Sequence, residues 1–215
     1  MELNFHFDFI SPYAYLGWTQ IHALAERHGA TVRPRPLLFA GLLNHHGQKG
    51  PAEIPAKRIW VFKDTLRRAR LLGVPLSPPP SHPFNPLLAL RATLAAPAEA
   101  QRALVDALFA ATWGDAEVRG VDRPEAVRAA AEEAGLDPDA LLAQAQAPEI
   151  KAALRRGTER AIEAGVFGVP TVGVKDELFW GFDAFDLLER HLSGEDPLGP
   201  DMLDRFRDVP ASASR

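Results

Sequence analysis

Ser11 stands where an alternating apolar run, Leu3, Phe5, Phe7 and Phe9, gives way to proline and a helical pattern. A hydroxyl at that place has two uses. It can cap the helix by accepting one of the backbone N–H groups that the first turn leaves unpaired. It can also join those N–H groups, and the positive partial charge at the helix start, in favouring an anionic sulfur over its protonated form. The chain has no cysteine, so that sulfur would have to arrive on a bound thiol. Two further stretches accompany it: Gly168-Val169-Pro170-Thr171, where proline opens a strand, and Phe179-Trp180-Gly181-Phe182-Asp183, where a hairpin runs into a last helix. By residue type alone Pro170 is an ordinary strand-edge proline, Asp183 an N-cap, Asn85 a turn or cap residue and Lys57 a solvated residue at a helix start.

Other chemistries lack residues. His45-His46 stands among seven histidines, but there is no His-Glu-x-x-His and no paired carboxylate cluster, so no metal site is expected. Neither Gly-x-Gly-x-x-Gly nor Gly-x-x-x-x-Gly-Lys-Ser/Thr occurs, which removes the usual basis for binding nucleotide phosphates. The formal charge of −4 provides no broad electropositive field for a nucleic acid. Arg67-Arg68-Ala69-Arg70 reads as a solvated helix face. No apolar window approaches a membrane span, and the early acid in Met1-Glu2-Leu3-Asn4 argues against a signal peptide, so a cytoplasmic location is expected. Without cysteine the protein forms no disulfide, and disulfide exchange of its own is excluded.

These residues must be held by a fold, and the period of the apolar pattern indicates which one. Residues 3–9 alternate as a strand, placing Glu2, Asn4, His6 and Asp8 on the opposite face. Ser11-Pro12 opens a helix that closes at His28-Gly29, and Thr31 to Leu38 reads as an edge strand because of Pro34 and Pro36. Gly41 to Ala56 reads as a loop. About five helices follow without a strand pattern among them. They include Lys57–Leu72, Pro86–Ala96 and Glu99–Trp113, with a capping box at Asp122-Arg123-Pro124-Glu125 and starts at Asp137-Pro138 and Pro148. Six prolines make Val74 to Pro86 an extended connector. Val166–Val174 and Leu178–Trp180 form a hairpin, after which Asp183 caps the closing helix. A β-α-β opening pairs in parallel and a hairpin pairs antiparallel, so the expected fold is α/β, with a four-stranded mixed, thioredoxin-like sheet and a large all-helical insertion. The expected organisation is a discontinuous thioredoxin-like domain of residues 1–38 and 165–195, a helical insertion of 39–164, and a surface tail of 196–215.

The run Phe7-Asp8-Phe9-Ile10-Ser11-Pro12-Tyr13-Ala14-Tyr15-Leu16, with Pro55-Ala56-Lys57, His82-Pro83-Phe84-Asn85, Gly168-Val169-Pro170-Thr171 and Phe179-Trp180-Gly181, resembles the 2-hydroxychromene-2-carboxylate isomerases and kappa-class glutathione transferases of the DsbA-like thioredoxin branch. The resemblance implies a glutathione-dependent enzyme of aromatic degradation, working as a homodimer. It makes Ser11 the hydrogen-bonding partner of the glutathione sulfur, standing where redox relatives have a cysteine. It makes Pro170 a cis proline, with the Val169 backbone pairing to the thiol peptide. Lys57 would contact a glutathione carboxylate, and Gln48 takes the place of a family asparagine. Trp60 replaces a kappa-class tyrosine, and Asp183 would meet the γ-glutamyl ammonium. Asn85 and Trp180 would face an aromatic substrate. Isomerisation of a conjugated aromatic acid is the first expectation; kappa-type conjugation and non-catalytic binding are the alternatives. The departure is at Phe182-Asp183-Ala184, where relatives usually carry a polar residue, aspartate and arginine.

Overall fold

A computed structural model describes residues 1–199, 201–210 and 212. Pro200, Ala211 and residues 213–215 of the expected tail lie outside the described residues. The first strand, β1 (Glu2–Phe7), buries Leu3, Phe5 and Phe7 completely and turns its polar residues the other way, as the alternation requires. Helix α1 (Pro12–Arg27) carries the chain back to β2 (Thr31–Pro36), which pairs parallel to β1 in the register Phe5↔Pro34 and Phe7↔Pro36. Both prolines are tolerated because β2 is the sheet edge, where no outer neighbour needs their missing N–H. The later strands β3 (Thr171–Val174) and β4 (Glu177–Trp180) form an antiparallel hairpin, and β3 pairs antiparallel to β1. The sheet order is β2-β1-β3-β4, so the central strand β1 ends at the middle of the sheet, beside β3.

Between β2 and β3 lie seven α-helices rather than about five. These are α2 (Phe39–His46), α3 (Pro55–Leu72), α4 (Leu87–Ala95), α5 (Gln101–Trp113), α6 (Pro124–Glu133), α7 (Pro138–Ala145) and α8 (Pro148–Glu163). The stretch read as a loop holds α2 and a 3-10 turn at Pro51–Glu53. Two turns of helix are too short for a periodic signal, but Leu42 is fully buried and anchors them, and Gly47 ends them in the left-handed region at φ 61°. The segment Val166–Pro170 is not strand; β3 begins only at Thr171. Asp137 caps α7 through its carboxylate, whereas Arg123 precedes α6 with no side-chain cap, so the expected capping box does not form. Asp183 does not cap the closing helix α9 (Phe185–Leu192) either; it sits in a 3-10 turn, and Ala184 is the residue before the helix. A last short helix, α10 (Asp204–Arg207), follows.

The core is continuous between sheet and helical block. Phe9, just past β1, packs its ring 5.2 Å from Phe7 and 4.8 Å from Phe109 of α5. Trp113 at the end of α5 donates its indole N–H to the Phe9 carbonyl at 2.7 Å. This contact ties the helical block to the turn that carries Ser11. Among the described residues, no helix is long and apolar enough to cross a membrane.

Candidate active site

The turn after β1 is fixed by a buried acid. Asp8 lies beyond the last β1 residue, so it leaves the alternation and points inward with 1% exposure instead of facing out with Glu2, Asn4 and His6. Its Oδ1 accepts from the Ile10 N–H at 3.1 Å and its Oδ2 from the Phe39 N–H at 2.9 Å, joining the turn to the start of α2. Burial pushes its carboxyl up to about 7, against the pull of those two N–H donors. From the opposite side, the His82 ring reaches the Ile10 carbonyl at 3.1 Å through Nε2. A carbonyl only accepts, so Nε2 carries the hydrogen there. Nδ1 of the same ring is buried and has no hydrogen-bond partner. Burial holds the imidazole below its ordinary pKa, favouring the neutral ring.

Ser11 has extended backbone geometry and caps α1, its Oγ accepting from the Ala14 N–H at 3.2 Å. The hydroxyl donates to the Val169 carbonyl at 3.4 Å, at the long limit of a hydrogen bond. The Val169–Pro170 bond is cis, and Pro170 accepts from the Gly181 N–H at 2.8 Å. Residues at opposite ends of the chain therefore meet around one hydroxyl. Beside them the Trp180 indole lies so close over Gly168 that a Cβ at residue 168 would overlap its Nε1 edge, so any larger residue there requires the indole to move. Phe167 and Trp180 form an aromatic pair 4.9 Å apart, both well exposed.

These groups open on a cavity of about 650 Å³. Ser11, Gln48, Lys57, Val169 and Trp180 all line it; Pro170 follows Val169 in the chain and is not on the wall. Trp60 does not. Residues 57, 58, 61 and 62 share the cavity face of α3, and at 100° per residue Trp60 falls off that face, with 57% exposure. Asn85 is exposed and off the wall; its Oδ1 accepts from the Leu87 N–H at 3.0 Å, the turn role open to it by residue type, while its neighbours Phe84 and Pro86 reach the cavity. Asp183 is exposed beyond the cavity rim. Sequence reasoning missed Asp8, Tyr13 and Arg58, which also line the cavity. Asp8 alone carried a signal, as an acid at the end of an otherwise aromatic strand.

A family model described as a DSBA-like thioredoxin domain matches residues 2–193. The chain belongs to the DsbA-like thioredoxin family. Within this family it falls with the 2-hydroxychromene-2-carboxylate isomerases and kappa-class glutathione transferases. It is 33% identical over 194 residues to the 2-hydroxychromene-2-carboxylate isomerase of Sphingobium xenophagum, covering 88% of this chain and 97% of that one. It is 29% identical to glutathione S-transferase kappa 1 of Homo sapiens, covering 90% and 91%. The solved structure of a 2-hydroxychromene-2-carboxylate isomerase superposes with a TM-score of 0.81 at 30% identity, over 90% of this chain and 95% of that one. The DsbA-like fold is thus shared over 90% of the chain, and the relatives support an isomerase-type or glutathione-transferase-type activity.

Proposed function

We propose that this DsbA-like protein is a glutathione-dependent cis–trans isomerase of 2-hydroxychromene-2-carboxylate or a similar conjugated aromatic acid. The observation that carries this reading is the Ser11 hydroxyl at the cap of α1, beside the Val169 carbonyl and at the wall of the cavity. The donor set fits a tripeptide thiol. Ser11 would turn its hydrogen from the long bond to Val169 toward the sulfur, and the open N–H groups and positive partial charge of the first turn would add to it. Both effects favour the ionised sulfur. The Val169 backbone would hold the cysteinyl unit, and Lys57 and Gln48, on the same cavity wall, would take a carboxylate and an amide.

Bound glutathione would supply a nucleophilic thiolate, whose reversible addition to a conjugated carbon turns a double bond into a rotatable single bond. The protein's own part is to hold the thiolate, to keep water from the apolar side of the cavity, and to orient a flat substrate. Phe62 and Phe84 line the inner wall, and Trp180 and Phe167 the mouth. The relatives named as kappa-class transferases favour a second reading, in which the same thiolate is conjugated to an electrophile and not released.

The test is the ultraviolet absorbance of thiolate in glutathione bound near neutral pH, in the natural protein and in Ser11→Ala. A thiolate band that Ser11→Ala loses is the expected result. Absence of the band in both proteins would overturn the mechanism. Turnover of a hydroxychromene without net consumption of thiol then separates isomerisation from conjugation.

A further inference from the structure

The start of α3 carries charges that work against the helix. Its first turn, Pro55 to Arg58, holds Lys57 and Arg58, with no acid and no side-chain cap. A helix start bears positive partial charge, so two cations there oppose the fold instead of supporting it. Among the described residues neither cation pairs with an acid of the cavity wall. Asp8 spends its oxygens on the Ile10 and Phe39 N–H groups, and Glu53 accepts from the Gly50 N–H at 2.6 Å. The Arg58 side chain, among the described residues, makes no hydrogen bond at all; its guanidinium lies over the Phe62 ring, 5.9 Å from the centroid.

What Arg58 touches sets it apart from Lys57. The Phe62 ring stands 5.5 Å from the His82 ring, and His82 stands 6.3 Å from Phe84; all three line the cavity together with Arg58. The charge of Arg58 reaches this row, adding to the burial that holds the His82 imidazole below its ordinary pKa. An unpaired guanidinium thus stands over one member of an aromatic row. The guanidinium presents a flat pair of donors matched to a carboxylate, and the row presents apolar surface to a flat ring. A molecule that joins a flat ring system to a carboxylate satisfies both at once. A simple anion leaves the row uncovered, and a neutral arene leaves the guanidinium unpaired.

We infer that Arg58 is the residue that selects a carboxylic acid as the aromatic substrate, its guanidinium taking the carboxylate while the ring system lies along Phe62, His82 and Phe84. Its part in turnover rests on the glutathione reading above: the thiol keeps Ser11 and Lys57, the acid takes Arg58, and the two anionic molecules occupy separate cations. The pairing forms on binding and is unchanged in the transition state, so it acts on KM and not on kcat.

The experiment is calorimetric titration, with and without saturating glutathione, of chromone-2-carboxylate and chromone-2-carboxamide, flat bicyclic probes that differ in the charge of one group. The natural protein should bind the carboxylate the tighter by about fivefold, the scale of an ion pair that solvent still reaches. Arg58→Met keeps a stem beside Phe62 and should abolish that preference, weakening the carboxylate by the same factor and leaving the carboxamide and glutathione unchanged. Arg58→Lys keeps the charge without the flat fork and should recover part of the preference. In turnover of a hydroxychromene carboxylate, Arg58→Met should raise KM by the same factor with kcat unchanged. Equal affinity for the two probes in the natural protein, equal loss for both in Arg58→Met, or a preference that Arg58→Met retains overturns the assignment. Loss of glutathione affinity in Arg58→Met also overturns it, since Arg58 would then serve the thiol. A preference for the carboxylate in a natural protein that binds no glutathione supports the Arg58 site and overturns the glutathione reading instead.

Discussion

The two ends of the cavity are built on different principles. At the Ser11 end almost every polar group is buried and already engaged: Asp8 holds two backbone N–H groups, His82 holds the Ile10 carbonyl, and Ser11 both caps α1 and meets Val169. Along the start of α3 the groups are exposed and unpaired by comparison, with Lys57 and Arg58 on the surface. A buried, hydrogen-bonded site can fix one atom against its neighbours, as stabilising a reactive sulfur requires. An exposed, flexible cation instead attracts a charged group without fixing it, and its contribution is screened. Under the proposed function, the first end would carry the chemistry and the second the capture, and substitutions at the two ends should therefore fail differently.

The largest expected effect concerns Asp8. Its carboxyl is raised to about 7 from an ordinary 3.8, so the folded protein keeps a proton that the unfolded chain has already lost. The stabilisation linked to that proton is full below pH of about 4 and is lost as pH rises to about 7, an upper range of roughly 4 kcal/mol at about 1.4 kcal/mol per decade. Asp8→Asn does not titrate. Its unfolding free energy relative to the natural protein should therefore move in its favour as pH rises from 4 to 8, measured by urea denaturation at each pH. A difference that stays flat across this range would show that Asp8 is not the titrating group at the fixed end.

Ser11→Ala comes next. It removes one donor from the proposed sulfur and the cap from α1, so turnover should fall by about 100-fold, the usual scale for losing one preorganised donor. Stability should fall by about 1 kcal/mol from the lost cap. If turnover falls no further than the lost stability and a weaker KM explain, the hydroxyl only caps, and the contrast between the two ends disappears.

The same contrast explains what could be read from the sequence. The sheet was legible because β1 is central and alternates strictly, and because Pro34 and Pro36 can stand only at an edge. Ser11, Val169 and Pro170 were legible because short motifs at strand ends carry them and the topology forces those ends together. Helix α2 was hidden because eight residues with Gly41 and two histidines lack a period. Asp8 was misplaced because alternation extrapolates one residue past the strand, where the chain has already turned. Arg68 was hidden by its neighbours: Arg67 and Arg70 made a charged run, and although Asp64 stands at the i,i+4 spacing to Arg68, nothing local shows that Tyr13 and Phe182 will pack on the same pair. The missing arginine at Ala184 pointed away from a cationic site, whereas Arg68 lies over the neighbouring Phe182 from a distant element.

Gly168→Ala tests the mouth of the fixed end at a smaller scale. A methyl group there overlaps the Trp180 indole, which is exposed enough to swing aside. The cost should be about 1 kcal/mol, at the low end for overpacking. In a Trp180→Ala background most of that cost should vanish, because the two side chains then no longer meet. A cost that survives in the double variant would place the constraint in the backbone before Pro170 and not in the indole.

Lys57→Ala should have the smallest effect, and a different signature. An exposed ammonium contributes little to binding, so glutathione affinity should weaken only about threefold at low salt, with the thiolate band of the bound form unchanged. Because the charge acts through solvent, the difference between Lys57→Ala and the natural protein should shrink towards nothing near 1 M salt, where screening acts over about 3 Å. Ser11→Ala should show the reverse, a loss in the thiolate band that salt does not alter, since its hydroxyl is buried beside Val169. If Lys57→Ala also removed the thiolate, the exposed end would share in the chemistry, and the cavity would have to be treated as a single electrostatic site.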